Sequence, residues 1–249
     1  MKDETKQGLL LFLETAALLL LTYPAGIAVG LWFLGGCLCG RLIIMHADRL
    51  SCIKTLDKVI LVANHPAIID PFLVAFLLFR YYLFHPLRHA PLIVADRINF
   101  YDKWWFLPFR SVMVPVDRGD RRKQAVALLK IRKAIERGRI VIIFPEGGRT
   151  FKGDPGEFLY SQMGNKIRFL REGVGLLVSK TGASVIPIGI KGSDEVVPNS
   201  RRRLWTRFVF WGRIKMCIGQ PMTFSPEASR ERITQEIAAK LLELVDEAS

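Results

Sequence analysis

The stretch VILVANHPAIIDPF, residues 59–72, decides how the chain is read. Val59-Ile60-Leu61-Val62-Ala63 is an apolar, Val/Ile-rich run without strict alternation, the pattern of a strand covered on both faces. It stops at Asn64. His65 therefore falls in a loop at a strand's carboxyl end, where open α/β sheets place their ligands. Asp70-Pro71 then opens an apolar segment, residues 72–84, that predicts a helix. A turn through Pro66 can bring the Asp70 carboxylate to the His65 imidazole. Asp70 then sets the ring tautomer and leaves the other nitrogen to take a proton. The plainer alternative is a helix-capping Asp70 and a loop histidine.

Working outward, residues 92–95, 112–116, 140–144 and 185–190 repeat the strand pattern. Asp120 predicts a capped helix to Arg137 with Leu128, Ile131 and Ile135 on one face and Gly138 as its stop. A second helix is expected over residues 168–180, ending near Gly182. A third begins at Ser225-Pro226 and carries Ile233, Ile237, Leu241 and Leu244 at spacings of three and four. Residues 207–218 read as a last strand or hairpin. The fold class is α/β, with a mixed central sheet covered by helices.

Ahead of this lies a hydrophobic amino-terminal segment. Between residues 8 and 40 the single charged residue is Glu14. About 20 apolar helical residues cross a hydrocarbon layer, so one helix kinked at Pro24 suffices. A break at Tyr23-Pro24-Ala25-Gly26 gives a helical hairpin instead. The expected division is a membrane anchor over residues 1–50 and a catalytic domain over 51–249. Arg41, His46 and Arg49 follow the apolar stretch, which puts the remainder on the cytoplasmic face of a membrane.

The 249 residues carry 36 Lys plus Arg against 23 Asp plus Glu, a formal charge of +13, and half are hydrophobic. That composition excludes a disordered chain and a disulfide-built miniprotein. It suits a surface that meets anions: nucleic acid, anionic lipid or a phosphorylated substrate. The standard nucleic-acid recognition motifs are absent. The four cysteines form no Cys-x-x-Cys pair and read as reduced apolar fillers. Lys103 beside Trp104-Trp105, and Arg201-Arg202-Arg203 beside Leu204-Trp205, fit a headgroup-level membrane face.

A second chemical element is Phe144-Pro145-Glu146-Gly147-Gly148-Arg149-Thr150, again behind a Val/Ile strand. Paired glycines permit a sharp turn whose amides face an anion. Arg149 supplies a fork suited to phosphate, and Glu146 can orient it or a substrate hydroxyl. The Gly-Lys-Ser/Thr ending of a nucleotide P-loop is missing. A third element, Val116-Asp117-Arg118, offers another arginine at a strand end. No metal site is expected, since His65 and Asp70 have no third ligand beside them.

Taken together, His65-x4-Asp70, the Arg118 element, Phe144-Pro145-Glu146-Gly147 with Arg149, and Val185-Ile186-Pro187-Ile188 resemble the glycerolipid acyltransferase family. The bacterial 1-acylglycerol-3-phosphate acyltransferases are the nearest likeness, which runs over residues 58–192. The resemblance implies transfer of a fatty acyl group from an acyl-CoA or acyl carrier protein thioester to a glycerolipid hydroxyl. That makes phosphatidic acid, at the bacterial inner membrane, with no further cofactor and no nucleic acid partner. It implies His65 as general base assisted by Asp70, and Arg118 and Arg149 on the acceptor phosphate. Glu146 and Gly147 shape the acceptor side, and Pro187 the donor side. Three features depart from the family pattern. Pro66-Ala67 stands where Gln-Ser is common, Gly148 where threonine is usual, and residues 151–167 form a longer stretch. They leave another lyso-lipid open as acceptor. The rival classes are a non-enzymatic basic membrane protein and a nucleic-acid-binding module.

Overall fold

The computed structural model describes residues 12–13, 15–117, 119–152, 157–199 and 212–249. Glu14, Arg118 and the basic-aromatic run Arg201–Trp205 lie outside the described residues. Seven strands form one sheet in the order β1-β9-β8-β2-β5-β3-β4. They are β1 (Leu42–Met45), β2 (Val59–Ala63), β3 (Leu92–Asp96), β4 (Met113–Val116), β5 (Val141–Ile143), β8 (Ser184–Lys191) and β9 (Ile214–Ile218). Every pairing is parallel except β8 with β9, so the sheet is mixed. Two short strands, β6 (Phe158–Tyr160) and β7 (Lys166–Arg168), make a separate antiparallel pair.

The apolar runs that lacked alternation are buried on both sides. Leu61 and Ala63 face a cluster with Ile186, Ile188, Leu73, Val74 and Leu78. Ile60 and Val62 face the opposite cluster with Ile131, Ile135, Val174, Ile233, Ile237 and Leu241. Each such side chain, fully buried, contributes roughly 1.5–3 kcal/mol. Helices α2 (Asp70–Phe76) and α3 (Phe79–Phe84) cover the first face. Helices α5 (Arg121–Glu136), α6 (Gly173–Thr181) and α8 (Arg230–Glu247) cover the second. Short α4 (Pro86–His89) leads into β3, and α7 (Ser193–Val196) follows β8.

Several helix boundaries differ from expectation, each for a local reason. The helix expected over residues 72–84 is split at Leu77-Leu78. There Leu77 and Leu78 bond three residues back, to Val74 and Ala75, and both side chains are buried. The helix expected from Arg168 begins at Gly173, because Lys166–Arg168 pairs with Phe158–Tyr160 instead. The last helix begins at Arg230 rather than at Ser225-Pro226. Ser229 caps it by accepting from the Arg232 amide, while Ser225 closes a single turn with Ala228. Asp120 caps α5 as read, accepting from Arg122 and Lys123, and Gly138 follows that helix at φ +74°.

The amino-terminal stretch is one continuous helix, α1 (Thr15–Leu38), and not a hairpin. Its Leu18–Thr22 turn is a π-helical segment in which the Tyr23 amide reaches back to Leu18. That widened turn accommodates Pro24, which has no N–H to donate. At 1.5 Å per residue α1 is about 36 Å long, enough to cross a hydrocarbon core of about 30 Å. One side docks on the domain. Thr22 Oγ1 donates to the Pro108 carbonyl and meets Ser111 Oγ, Tyr23 Oη donates to Leu83 O at 2.7 Å, and Phe33 is buried. Leu20, Leu31, Trp32 and Leu38 are exposed on the other side. Within the first fifty residues, β1 is also an integral edge of the sheet through its pairing with β9.

Helix α8 lies almost flush on its neighbours because glycines face it. A Cβ added at Gly189 of β8 would sit 2.5 Å from the Leu244 carbonyl carbon, and one at Gly175 of α6 would sit 2.1 Å from Arg230 O. Backbone cannot yield as a flexible side chain does. Gly189→Ala is therefore expected to destabilise the protein by about 1–3 kcal/mol. A denaturant melt checks it, and unchanged stability contradicts the close approach.

Candidate active site

Sheet register brings the two chemical loops together. β2 and β5 run parallel with Val62 opposite Ile143. His65 and Glu146 each lie three residues beyond that pair, so two segments 81 residues apart meet at one level. The Asn64 side chain clamps the first loop to β8, donating to Ile190 O at 2.8 Å and accepting from Ile190 N at 2.7 Å.

His65 Nδ1 lies 2.9 Å from Asp70 Oδ2, which also accepts the Ala67 amide at 2.7 Å. Asp70 is fully buried and His65 is 8% exposed. A buried carboxylate on Nδ1 fixes the tautomer with the proton on that nitrogen, leaving Nε2 as the basic position. The Phe144 ring, 4.6 Å from the imidazole between centroids, restricts its rotation.

Glu146 turns inward. Its carboxylate accepts the His65 amide at 2.7 Å, the Arg168 amide at 2.9 Å and the Thr150 hydroxyl at 2.8 Å to both oxygens. Burial pushes its carboxyl above the usual range, and the amides of Arg168 and His65 with the Thr150 hydroxyl pull the other way. Thr150 closes the ring by donating its amide to His65 O at 2.7 Å. Gly147 has φ +68°, and a Cβ there would lie 2.1 Å from Arg171 Nε. A side chain at 147 is thus disfavoured by the backbone conformation and would require the Arg171 side chain to move.

Arg149 is half-buried and donates from Nη1 to Asn199 Oδ1 at 2.7 Å, while Asn199 Nδ2 donates to Pro66 O at 2.7 Å. The arginine is thereby linked to the loop that carries His65. Pro187 lies inside β8 opposite Val62. Its carbonyl accepts from Gly219. It is not among the residues that line the cavity beside His65. Arg118 falls outside the described residues.

That cavity, about 330 Å³, begins at His65, Gly147, Gly148 and Arg171. It runs between Phe72, Ile93, Phe106, Met113, Leu128 and Leu177, and its wall is overwhelmingly apolar. Arg171, Asn199 and Thr150 are the site residues that sequence reasoning missed. Arg171 was hidden by the helix expected from Arg168, although an arginine just ahead of a helix start was a usable signal. No metal-binding group surrounds His65 among the described residues. His46, Cys217 and Glu247 bring possible ligand atoms within 4.8 Å of one another, at the β1–β9 edge of the sheet. There burial, with Glu247 beside it, pushes the Cys217 thiol up to about 12.

Comparison with known proteins follows this geometry. A chloroplastic 1-acyl-sn-glycerol-3-phosphate acyltransferase of Arabidopsis thaliana is 25% identical over 142 residues, 57% of this chain and 34% of that protein. A 1-acyl-sn-glycerol-3-phosphate acyltransferase of Chlamydomonas reinhardtii is 28% identical over 148 residues, 58% of this chain and 38% of that protein. The chain thus spans about a third of the length of these relatives. The crystal structure of the 1-acyl-sn-glycerophosphate acyltransferase PlsC from Thermotoga maritima shares the fold. Its TM-score is 0.57 at 19% identity, covering 98% of this chain and 89% of that one. The family model described as Acyltransferase matches residues 48–191, more than half of the chain and the whole span from the first face of the sheet through β8. The His65–Asp70 pair and the Glu146 loop both lie inside that match, and the chain belongs to the acyltransferase family.

Proposed function

We propose that the protein is an O-acyltransferase of phospholipid biosynthesis. It moves a fatty acyl group from a CoA or acyl carrier protein thioester to the free hydroxyl of 1-acylglycerol-3-phosphate, giving phosphatidic acid. The observation that carries this reading is the buried His65–Asp70 pair beside a largely apolar cavity that both His65 and Arg171 line. The names of the plant and algal relatives support the acceptor.

In the reaction so read, His65 Nε2 takes the proton of the acceptor hydroxyl. The oxygen attacks the thioester carbonyl, the tetrahedral adduct collapses, and the carbon–sulfur bond breaks. The departing thiolate receives the proton held on the imidazolium. Asp70 holds the ring and stabilises its charged form. A thioester is already activated, so positioning and one base suffice without an acyl-enzyme. Arg171 and Arg149, and by the family resemblance Arg118, attract the acceptor phosphate, and the apolar cavity takes the acyl chain. The exposed side of α1 seats the protein in a membrane with its domain on the cytoplasmic face.

Three outcomes test this reading. His65→Ala should lower acyl transfer on the order of 10²–10⁴-fold with folding intact by circular dichroism. Asp70→Asn should also be severely impaired. Near wild-type transfer by a folded His65→Ala protein rejects the base. Leu128→Trp should fill the cavity and shift donor preference to shorter acyl chains, read as relative kcat/KM across a chain-length series. An unchanged series removes the cavity from the donor site. Finally, the full chain should sediment with membranes and resist high-salt extraction; recovery as a soluble monomer without detergent counts against α1 as an anchor.

A further inference from the structure

The strands' amino-terminal end, opposite His65, carries a second set of cations. Lys54 ends the 3-10 helix Ala47–Lys54, five residues before β2. Arg80, Tyr81 and Phe84 belong to α3, and His85 and His89 flank α4 just ahead of β3. These six residues line an open cleft of about 380 Å³, and no carboxylate is among them. Buried Tyr81 forms its floor. Lys54 Nζ lies 5.8 Å and Arg80 Cζ 5.3 Å from the centre of that ring, so both cations are drawn over one aromatic. The His89 ring is 5.7 Å from Tyr81 and 6.1 Å from His85. Gathering like charges around one ring favours an anion between them.

The surroundings specify what kind of anion. Phe84 is 75% exposed and Leu87 is 58% exposed at the rim. Leu83, beside Phe84, accepts the Tyr23 hydroxyl bond from α1, so the cleft adjoins the exposed apolar helix. A ligand with a phosphate head and an apolar body matches both halves of this surface. We infer that the cleft binds the phosphate-bearing headgroup of an anionic membrane lipid. The site is separate from the one at His65, Arg149 and Arg171, and it does not rest on the acyl-transfer reading. Basic pockets beside membrane helices recognise headgroups in this way, with each Lys or Arg near the surface worth about fivefold in affinity.

The test compares full-length protein with Lys54→Gln/Arg80→Gln, which keeps the side-chain stems and removes both charges. A control, Lys130→Gln/Lys133→Gln, removes two exposed charges from α5. Flotation is measured on phosphatidylcholine vesicles with and without phosphatidic acid, and melting confirms that both variants fold. The cleft variant should bind phosphatidic acid vesicles roughly tenfold or more weakly. Its binding to phosphatidylcholine alone and its turnover in neutral detergent micelles should stay near wild type. The control should change far less. Equal losses in the two variants reduce the effect to overall charge and overturn the site. Inorganic phosphate at matched ionic strength separates the sources. If it displaces wild-type protein from phosphatidic acid vesicles as well as a soluble short-chain phosphatidic acid does, the cleft is a free-phosphate site and the lipid assignment falls.

Discussion

The Glu146 carboxylate is the point on which the site depends. It is almost wholly buried, and it binds the His65 amide, the Arg168 amide and the Thr150 hydroxyl at once. Each partner comes from a different part of the chain: the loop after β2, the turn after β5, and strand β7. Leaving one such buried donor unpaired costs about 1–3 kcal/mol, and more when the lost partner is charged. A satisfied low-dielectric network is stiff, and a half-satisfied one is worse than none. The position of the imidazole therefore follows from a residue whose carboxylate is engaged by two backbone amides and the Thr150 hydroxyl.

This network is possible because of register. Val62 opposite Ile143 puts residues 65 and 146 at one level, and Asn64 locks that level against β8 through both of its amide atoms. Asn199 adds a further tie, from Arg149 to the Pro66 carbonyl. Arg149 and the loop that carries His65 thus share a single support. Pre-organisation of this kind matters for a reaction in which positioning supplies much of the rate.

The sheet was legible where apolar runs were long and their ends abrupt. The strands expected near residues 59, 92, 112, 140 and 185 are all present, and the Asp120 cap and Gly138 stop of α5 act as read. What escaped was set by tertiary pairing. Leu42–Met45 is only four residues long and follows the apolar helix after Cys39-Gly40-Arg41, too short a run to show a strand pattern of its own; pairing with β9 makes it a strand. Lys166–Arg168 carries charges at both ends and is a strand through Phe158–Tyr160 and the Glu146 carboxylate. At the site, His65 and Asp70 could be paired from spacing alone. The inward turn of Glu146 could not, because its donors are backbone amides that have no residue-type signature.

The departure at position 148 shows how such a network tolerates sequence change. Glycine stands there where the resembled family usually has threonine, and no side-chain hydroxyl precedes Arg149. Thr150, on the other side of that arginine, is buried and donates to both Glu146 oxygens while its own amide holds His65 O. The carboxylate thus has a hydroxyl partner without one at 148. Gly147 and Gly148 both line the cavity beside Arg171, whose side chain would have to move for a Cβ at 147. Two consecutive glycines and one arginine thus form that part of the wall. The hydroxyl that serves Glu146 therefore sits at position 150, and the tie between Glu146 and His65 does not depend on a side chain at 148.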